Sequence, residues 1–306
     1  NAVLGPVDDL LVSFNAGYAM TRPGMTSLLP VGSVSVTGSN GTAKLGNPQL
    51  PPMRSKNLDL SFEWYYDKGS MLSVAGFWKH LDNFLQTQST SGTWDTNPFG
   101  FDASMFVGAC GGTGSDWSTI TNSYCTGLGG ENMKWVFSTQ KSVRGAPLWG
   151  TEINWQQQLN FLPAPFDSFG VLANFTYVQA QQSYYDTSGN LLMKADLTNM
   201  SRISYNGTVY YDDGTFQARM TGAFRSHYII DANILSNYNN YGIFSKSTFN
   251  LDASMSYKYN EQLMFTFDAI NITNQASNIY ADKYAERAYQ YHETGPVYYA
   301  GVKYSY

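Results

Sequence analysis

Leu251-Asp252-Ala253-Ser254-Met255-Ser256-Tyr257-Lys258-Tyr259 alternates between two chemistries with a period of two. Successive side chains of an extended chain point to opposite faces. Leu251, Ala253, Met255, Tyr257 and Tyr259 therefore share one face, and Asp252, Ser254, Ser256 and Lys258 the other. The same split recurs upstream. Phe216, Ala218, Met220, Gly222 and Phe224 alternate with Gln217, Arg219, Thr221, Ala223 and Arg225. Ile203, Tyr205, Gly207, Val209 and Tyr211 alternate with Ser204, Asn206, Thr208 and Tyr210. Leu58, Leu60, Phe62 and Trp64 alternate with Asp59, Ser61, Glu63 and Tyr65. Each run lasts roughly 9–15 residues, against about 5–6 for an ordinary globular strand. A membrane-spanning strand tilted by about 45° needs about 9–11 residues. These strands are long enough to cross a bilayer.

Their connections alternate too. Short turns fall at Asp67-Lys68-Gly69-Ser70, Asp212-Asp213-Gly214-Thr215 and Tyr259-Asn260-Glu261-Gln262, and a Pro-containing one runs from Phe161 to Ser168. Between them lie long polar segments at 24–56, 88–132, 180–200, 231–248 and 274–295. Short turns at one end and long loops at the other is the pattern of an outer-membrane barrel. A β-sandwich has no reason to gather every long loop at one end. The spacing predicts ten strands: 9–21, 55–67, 70–87, 133–160, 169–180, 201–212, 214–229, 249–260, 262–273 and 296–306. The stretch 133–160 enters as one very long strand; two there would break the parity. The predicted fold is all-β, an antiparallel up-and-down transmembrane barrel, with 1–306 as one unit.

Composition agrees. Of 306 residues only 13% are charged, about half the roughly 25% of an average soluble domain. Aromatics make up 16%, and the net charge is -5. No run of about 20 apolar residues exists for a helical span. A mildly acidic chain without Lys/Arg clusters argues against nucleic acid as a partner. The opening NAVLGPVDDL has neither a charged n-region nor an apolar h-region, so no targeting segment is expected there.

Several segments carry a family resemblance. Tyr299-Ala300-Gly301-Val302-Lys303-Tyr304-Ser305-Tyr306 ends on an aromatic, with Gly301, Tyr304 and Tyr306 spaced like the barrel-assembly signal of bacterial outer-membrane proteins. Thr21-Arg22-Pro23, Gly46-Asn47-Pro48-Gln49-Leu50-Pro51-Pro52 followed by Ser55-Lys56-Asn57, Gly150-Thr151-Glu152-Ile153, Ala173-Asn174-Phe175-Thr176-Tyr177 and Asn271-Ile272-Thr273-Asn274 occur in the order they take in TonB-dependent receptors. From Asp9 to Tyr306 the chain resembles the C-terminal half of such a receptor. Gln156 to Tyr177 is most similar to the Xanthomonas–Caulobacter–Sphingomonas type, often associated with oligosaccharide uptake. The resemblance implies a 22-stranded barrel of which this chain is the C-terminal part, with the plug domain, TonB box and N-terminal strands absent from it. It further implies an outer-membrane location in contact with lipid and lipopolysaccharide, and energy from the TonB complex through the plug. Ten strands closing a small barrel of their own remain the alternative.

No catalytic or nucleotide-binding motif appears among GxSxG, HExxH, P-loop and dinucleotide patterns, so neither an enzyme nor a cofactor is expected. His80, His227 and His292 lack metal-ligand spacing, and no metal site is expected. Cys110 and Cys125 share one external segment; in an oxidising compartment they read as a disulfide, a metal-binding thiol pair being the alternative. Inward-facing charges such as Asp59, Glu63, Lys79, Glu152, Arg219 and Lys303 suit a polar lumen. The substrate clue is aromatic. Sugar rings stack apolar C–H faces on aromatic planes, and the loops offer Trp94, Trp117, Tyr124, Trp149, Tyr184, Tyr185, Tyr238, Tyr241, Tyr289 and Tyr291, with Arg225, His227 and His292 at strand ends. An interfacial aromatic girdle or loop packing competes for the same residues. The expected ligand is an oligosaccharide, with a ferric siderophore or other metal chelate second; a passive porin and a barrel enzyme stand further back.

Overall fold

The structure, a computed structural model, describes residues 2–30, 32–38, 40–127, 133–185, 190–232 and 242–306. Strands β1 (Ala2–Val7) and β2 (Leu10–Thr21) form a hairpin, and β3 (Gly32–Thr37) and β4 (Asn40–Leu45) follow in a long segment that begins with the short helix α1 (Met25–Leu28). Next come β5 (Met53–Asp67), β6 (Ser70–Leu81) and β7 (Asn83–Gly92), helices α2 (Ala103–Ala109) and α3 (Ser123–Gly127), then β8 (Lys134–Arg144). The chain continues through β9 (Pro147–Gln158), β10 (Phe169–Tyr185), β11 (Leu191–Asp196), β12 (Ile203–Asp212) and β13 (Phe216–Arg225). It ends with β14 (Tyr228–Asp231), β15 (Ile243–Ser245), β16 (Thr248–Lys258), β17 (Leu263–Ile270), β18 (Ser277–Ala281), β19 (Arg287–His292) and β20 (Val297–Tyr304).

One antiparallel sheet runs β1-β2-β5-β6-β9-β10-β12-β13-β16-β17-β20, with β11 paired to the upper end of β10. Every neighbour on the path is a sequential up-and-down partner. The sheet is part of a barrel: its end strands, β1 and β20, do not pair with each other.

Three expectations need correction. The path holds a strand before 9–21: β1 pairs along β2, so the outer edge is β1 rather than 9–21. Its sequence AVLGPV has no alternation and carries Pro6, whose nitrogen donates nothing to a ladder. The stretch 133–160 is two strands, β8 and β9, broken at Gly145-Ala146, where a Cβ on Gly145 would lie 2.2 Å from the Leu81 carbonyl oxygen. Likewise 70–87 divides at Asp82 into β6 and β7. Both breaks lie at the same end of the barrel, and β7 pairs with β8 beyond it, so parity survives.

The sheet is inside-out relative to a soluble protein. Along β5, Leu58, Leu60, Phe62 and Trp64 are exposed while Asn57, Asp59, Ser61 and Glu63 are half-buried on the concave side. Register carries the division from strand to strand: Val209, Met220 and Ala253 lie side by side facing out, and Tyr210, Arg219, Ser254 and Asp268 facing in. Inward polar groups pair across strands, as Asn174 with Asn154, and Thr208 with Thr221 through hydroxyls 2.8 Å apart. An exposed apolar band of this extent costs free energy in water and is stable against hydrocarbon.

Aromatic girdles bound the band. At the short-turn end the Trp155 indole donates to the Tyr66 hydroxyl at 3.0 Å, and Phe169 meets Tyr211 edge-on at 4.9 Å. The turns there are held by side chains. Asp213 accepts from the backbone N–H groups of Thr215 and Phe216, and Gly214 takes φ +83°, which a side chain would resist. At the other end Trp78 and Trp149 are register partners facing outward.

Candidate functional site at the long-loop end of the barrel

The buried apolar core of this molecule lies mostly outside the barrel sheet, in the segments above it. Segments 24–52 and 82–146 come together as a unit with sheet order β3-β4-β8-β7, in which β4 and β8 are parallel. Its core is Ala43, Trp94, Phe106, Val107, Met133, Trp135 and Phe137, with the Cys110–Cys125 disulfide buried among them. Asp102 caps α2 by accepting from the Ser104 N–H at 2.8 Å, and Asp116 accepts from the Ser118 N–H and hydroxyl. These hydrogen bonds hold both carboxyls below their ordinary range.

A second unit, β14-β15-β18-β19, rises beside the upper end of β10 and β11. Tyr184, Ile229, Ala232, Phe244 and Tyr280 form its core. The family-like Asn271-Ile272-Thr273-Asn274 makes the turn out of the barrel beneath it. The Asn271 backbone N–H donates to Asp252, its side-chain oxygen accepts from the Gln275 N–H, and Thr273 donates to the Phe249 carbonyl.

Between β11 and the second unit opens a cleft of about 520 Å³. Four cations line it, Lys194, Arg202, Lys246 and Lys283, against two carboxylates, Asp196 and Glu286. Arg202 grips Asp196 in a two-pronged contact at 2.6 and 2.9 Å, and Lys246 pairs with Glu286 at 2.9 Å. Lys194 and Lys283 have no ion-pair partner among the described residues, so the cleft is net cationic. His227, Tyr228 and Tyr280 add imidazole and ring surface. Burial first, and the Glu286 carboxylate after it, hold the Tyr280 phenol above its ordinary value.

The aromatic residues singled out in the loops meet different fates. Trp94 is a core residue, 6% exposed, with Trp135 edge-on at 4.8 Å, and gives no face to a ligand. Tyr184 is 3% exposed; its hydroxyl donates to the Asp196 carbonyl and accepts from the Thr198 N–H, and burial pushes its phenol up to about 12. Trp149 faces outward beside Trp78, on the side of the sheet away from the lumen. Trp117 packs on Phe106 at 4.3 Å and Tyr124 is exposed on α3. Tyr185 is half-buried, its N–H donating to Gln86. Arg225 stacks over the Tyr228 ring at 3.9 Å and donates to Ser201 and the Asn199 carbonyl, and it is not among the residues that line the cleft. Tyr289, Tyr291 and His292 are exposed on β19. Tyr238 and Tyr241 lie outside the described residues. Among the described residues no group of three His, Cys, Asp or Glu gathers as a metal site.

A sheet with an apolar outside, a polar inside and folded units at one end only is the geometry of an outer-membrane receptor barrel. The family model described as TonB dependent receptor-like, beta-barrel, matches residues 2–274. The chain belongs to the TonB-dependent receptor family. Gly301, Tyr304 and Tyr306 sit beyond the matched stretch, on and just after β20, whose ladder with β17 pairs Gly301 with Thr266 and Tyr304 with Leu263. Solved receptors of this kind share the fold. The siderophore receptor PirA from Acinetobacter baumannii is 15% identical, with TM-score 0.61 over 99% of this chain and 40% of that one. A ferric enterobactin receptor mutant from Pseudomonas aeruginosa, PfeA in complex with enterobactin, is 13% identical with TM-score 0.61, again covering 99% and 40%. The ferric-catecholate import receptor Fiu from E. coli K12 is 14% identical with TM-score 0.57, covering 98% of this chain and 33% of that one. The chain spans about two fifths of the length of these PirA and PfeA chains. No curated protein matches it by sequence.

Proposed function

We propose that this chain is the C-terminal part of the barrel of an outer-membrane receptor that takes up a scarce or bulky solute. Residues outside 1–306 supply the plug and the remaining strands, and the TonB complex drives transport through the plug. The chain's own work is to hold the bilayer outside, a polar passage inside and a ligand at the external mouth; no bond is made or broken. The cleft between β11 and the second unit carries the ligand reading. Two lysines without carboxylate partners among the described residues, beside His227 and the partly exposed ring of Tyr228, suit an anionic solute with a flat or ring-shaped part. An anionic iron chelate has that chemistry, and ferric-siderophore receptors are among the structural neighbours. An oligosaccharide is the second reading, favoured by Tyr289 and Tyr291, both exposed on β19.

Uptake by cells dependent on the complete receptor separates the two. Lys194→Glu with Lys283→Glu should cut uptake of a ferric chelate at least about tenfold, since each reversed charge removes an attraction and adds a repulsion. Wild-type growth on an oligosaccharide and not on any ferric chelate, with the lysine variant unimpaired, would remove the chelate reading and leave the sugar.

A further inference from the structure

One connection at the short-turn end is unlike the others. β5 and β6, β12 and β13, and β16 and β17 are joined by two, three and four residues, whereas β9 and β10 are joined by ten, 159–168. The ten read Leu159-Asn160-Phe161-Leu162-Pro163-Ala164-Pro165-Phe166-Asp167-Ser168. Their apolar side chains are left in the open. Phe161 is 68% exposed and Phe166 55%, and Pro163, Ala164 and Pro165 between them are exposed too. The segment is nonetheless ordered. The Leu159 N–H donates to the Phe169 carbonyl at 2.9 Å, the Leu162 N–H to the Leu159 carbonyl at 3.0 Å and the Phe166 N–H to the Pro163 carbonyl at 2.9 Å. Phe166 stacks on Phe169 at 6.2 Å. Two prolines fix the backbone further, which lowers the ordering entropy that docking would cost. An apolar knob held in shape and exposed marks a surface for a partner.

The surroundings select that partner. Strand order places the knob between the β5–β6 and β12–β13 turns. Exposed Asp67, Asp167, Asp212 and Asp213 stand there against Lys68 alone. None of the four carboxylates has an ion-pair partner among the described residues. The Phe216 and Thr215 N–H groups hold the Asp213 carboxyl below its ordinary range, so it stays charged. A lipid anchor would have the opposite make-up, Trp or Tyr beside Lys or Arg, because headgroups are anionic. The matching surface is that of a protein, an apolar groove rimmed by cations. Short turns of an outer-membrane barrel face the periplasm. In the receptor reading one protein has to come to that face, TonB on its way to the plug. We propose that the turn 159–168 is a second docking point for the periplasmic domain of TonB, on the barrel and separate from its contact with the plug. Phe161 and Phe166 enter an apolar groove, and Asp167 and Asp213 meet its cationic rim. Two contacts on one receptor act together, because the turn holds TonB close to the plug and raises its effective concentration there. The inference rests on the receptor reading above.

The test uses the complete receptor in mild detergent, the purified periplasmic domain of TonB as the probe, and calorimetry for the affinity. Phe161→Ser/Phe166→Ser should weaken binding about tenfold. Asp167→Lys should weaken it too, and the wild type's lead over that variant should narrow as salt rises. Met25→Ser, which removes an exposed apolar side chain from the opposite end, should bind as wild type does. Heat-modifiable migration checks that each variant folds. In a second arm, in cells, p-benzoylphenylalanine in place of Phe161 should crosslink to TonB on illumination. Wild-type affinity in the double variant, a lead over Asp167→Lys that salt leaves untouched, or crosslinks to phospholipid or another protein in place of TonB overturns this inference alone. A wild-type receptor that does not bind the TonB domain at all overturns the receptor reading with it.

Discussion

Met220 and Ser254 lie one residue out of register on adjacent strands and face opposite media, Met220 outward beside Val209 and Ala253, Ser254 inward beside Arg219 and Asp268. Arg at Met220 should cost about 2–4 kcal/mol in lipid, and Arg at Ser254 much less, measured by urea unfolding of the complete barrel in vesicles. Equal costs would sink the face assignment. Thr208, inward by the same alternation, is a poor control: it is only 8% exposed and its hydroxyl is spent on Thr221. Which way a strand residue points is a local property, and alternation alone reveals it. Burial of a loop residue depends on partners far away in sequence. Nothing in the neighbourhood of Trp94 foretells that Trp135 and Phe137 will close over it, and nothing near Lys194 foretells Lys283. For that reason the cleft's lysines escaped a reading tuned to aromatic residues.

Among the elements, segments 24–52 and 82–146 behave together as a small domain with its own core, caps and disulfide. Closing the loop between Cys110 and Cys125, fifteen positions apart, should stabilise it by about 3 kcal/mol in the chain-entropy model. On intact cells, thiol reagents should label these cysteines only after reduction, and reduction should open the segment to protease. Labelling without reductant would contradict the bridge. The Asp102 and Asp116 caps give the segment a pH dependence of known sign. Their folded pKa values are lowered, so their contribution is complete above the ordinary carboxylate range and is lost as pH falls through the lowered values. Protease nicking between 102 and 127 should therefore rise on acidification, and Asp102→Asn/Asp116→Asn should flatten that rise. An unchanged acid profile in the double variant would refute the role of the caps. Of the elements, the hairpins at Asp67–Ser70 and Asp212–Thr215 were readable because Asp and Gly impose the turn locally. The first strand was not, because Ala2–Val7 has no alternation and owes its extended form to pairing with β2.

For the whole molecule, the two ends of the sheet set the terms. β1 and β20 each leave one edge without a partner among the described residues, and hydrocarbon offers no substitute for a missing hydrogen bond, at several kcal/mol per group. Residues 1–306 produced alone should therefore give no heat-resistant band in detergent, whereas the complete receptor should. A compact, heat-modifiable species from 1–306 would show that the eleven strands of this path suffice to close a barrel. The parallel pairing of β4 with β8, described above, bears on how such a receptor is met from outside. The ladder from Asn40–Lys134 to Leu45–Thr139 stitches two loops, ninety-four residues apart in sequence, into one face. An antibody or a phage tail fibre that grips this face touches both loops at once. A synthetic peptide copying either loop lacks the strand that shapes it, so immunisation with linear peptides would raise sera blind to the folded receptor.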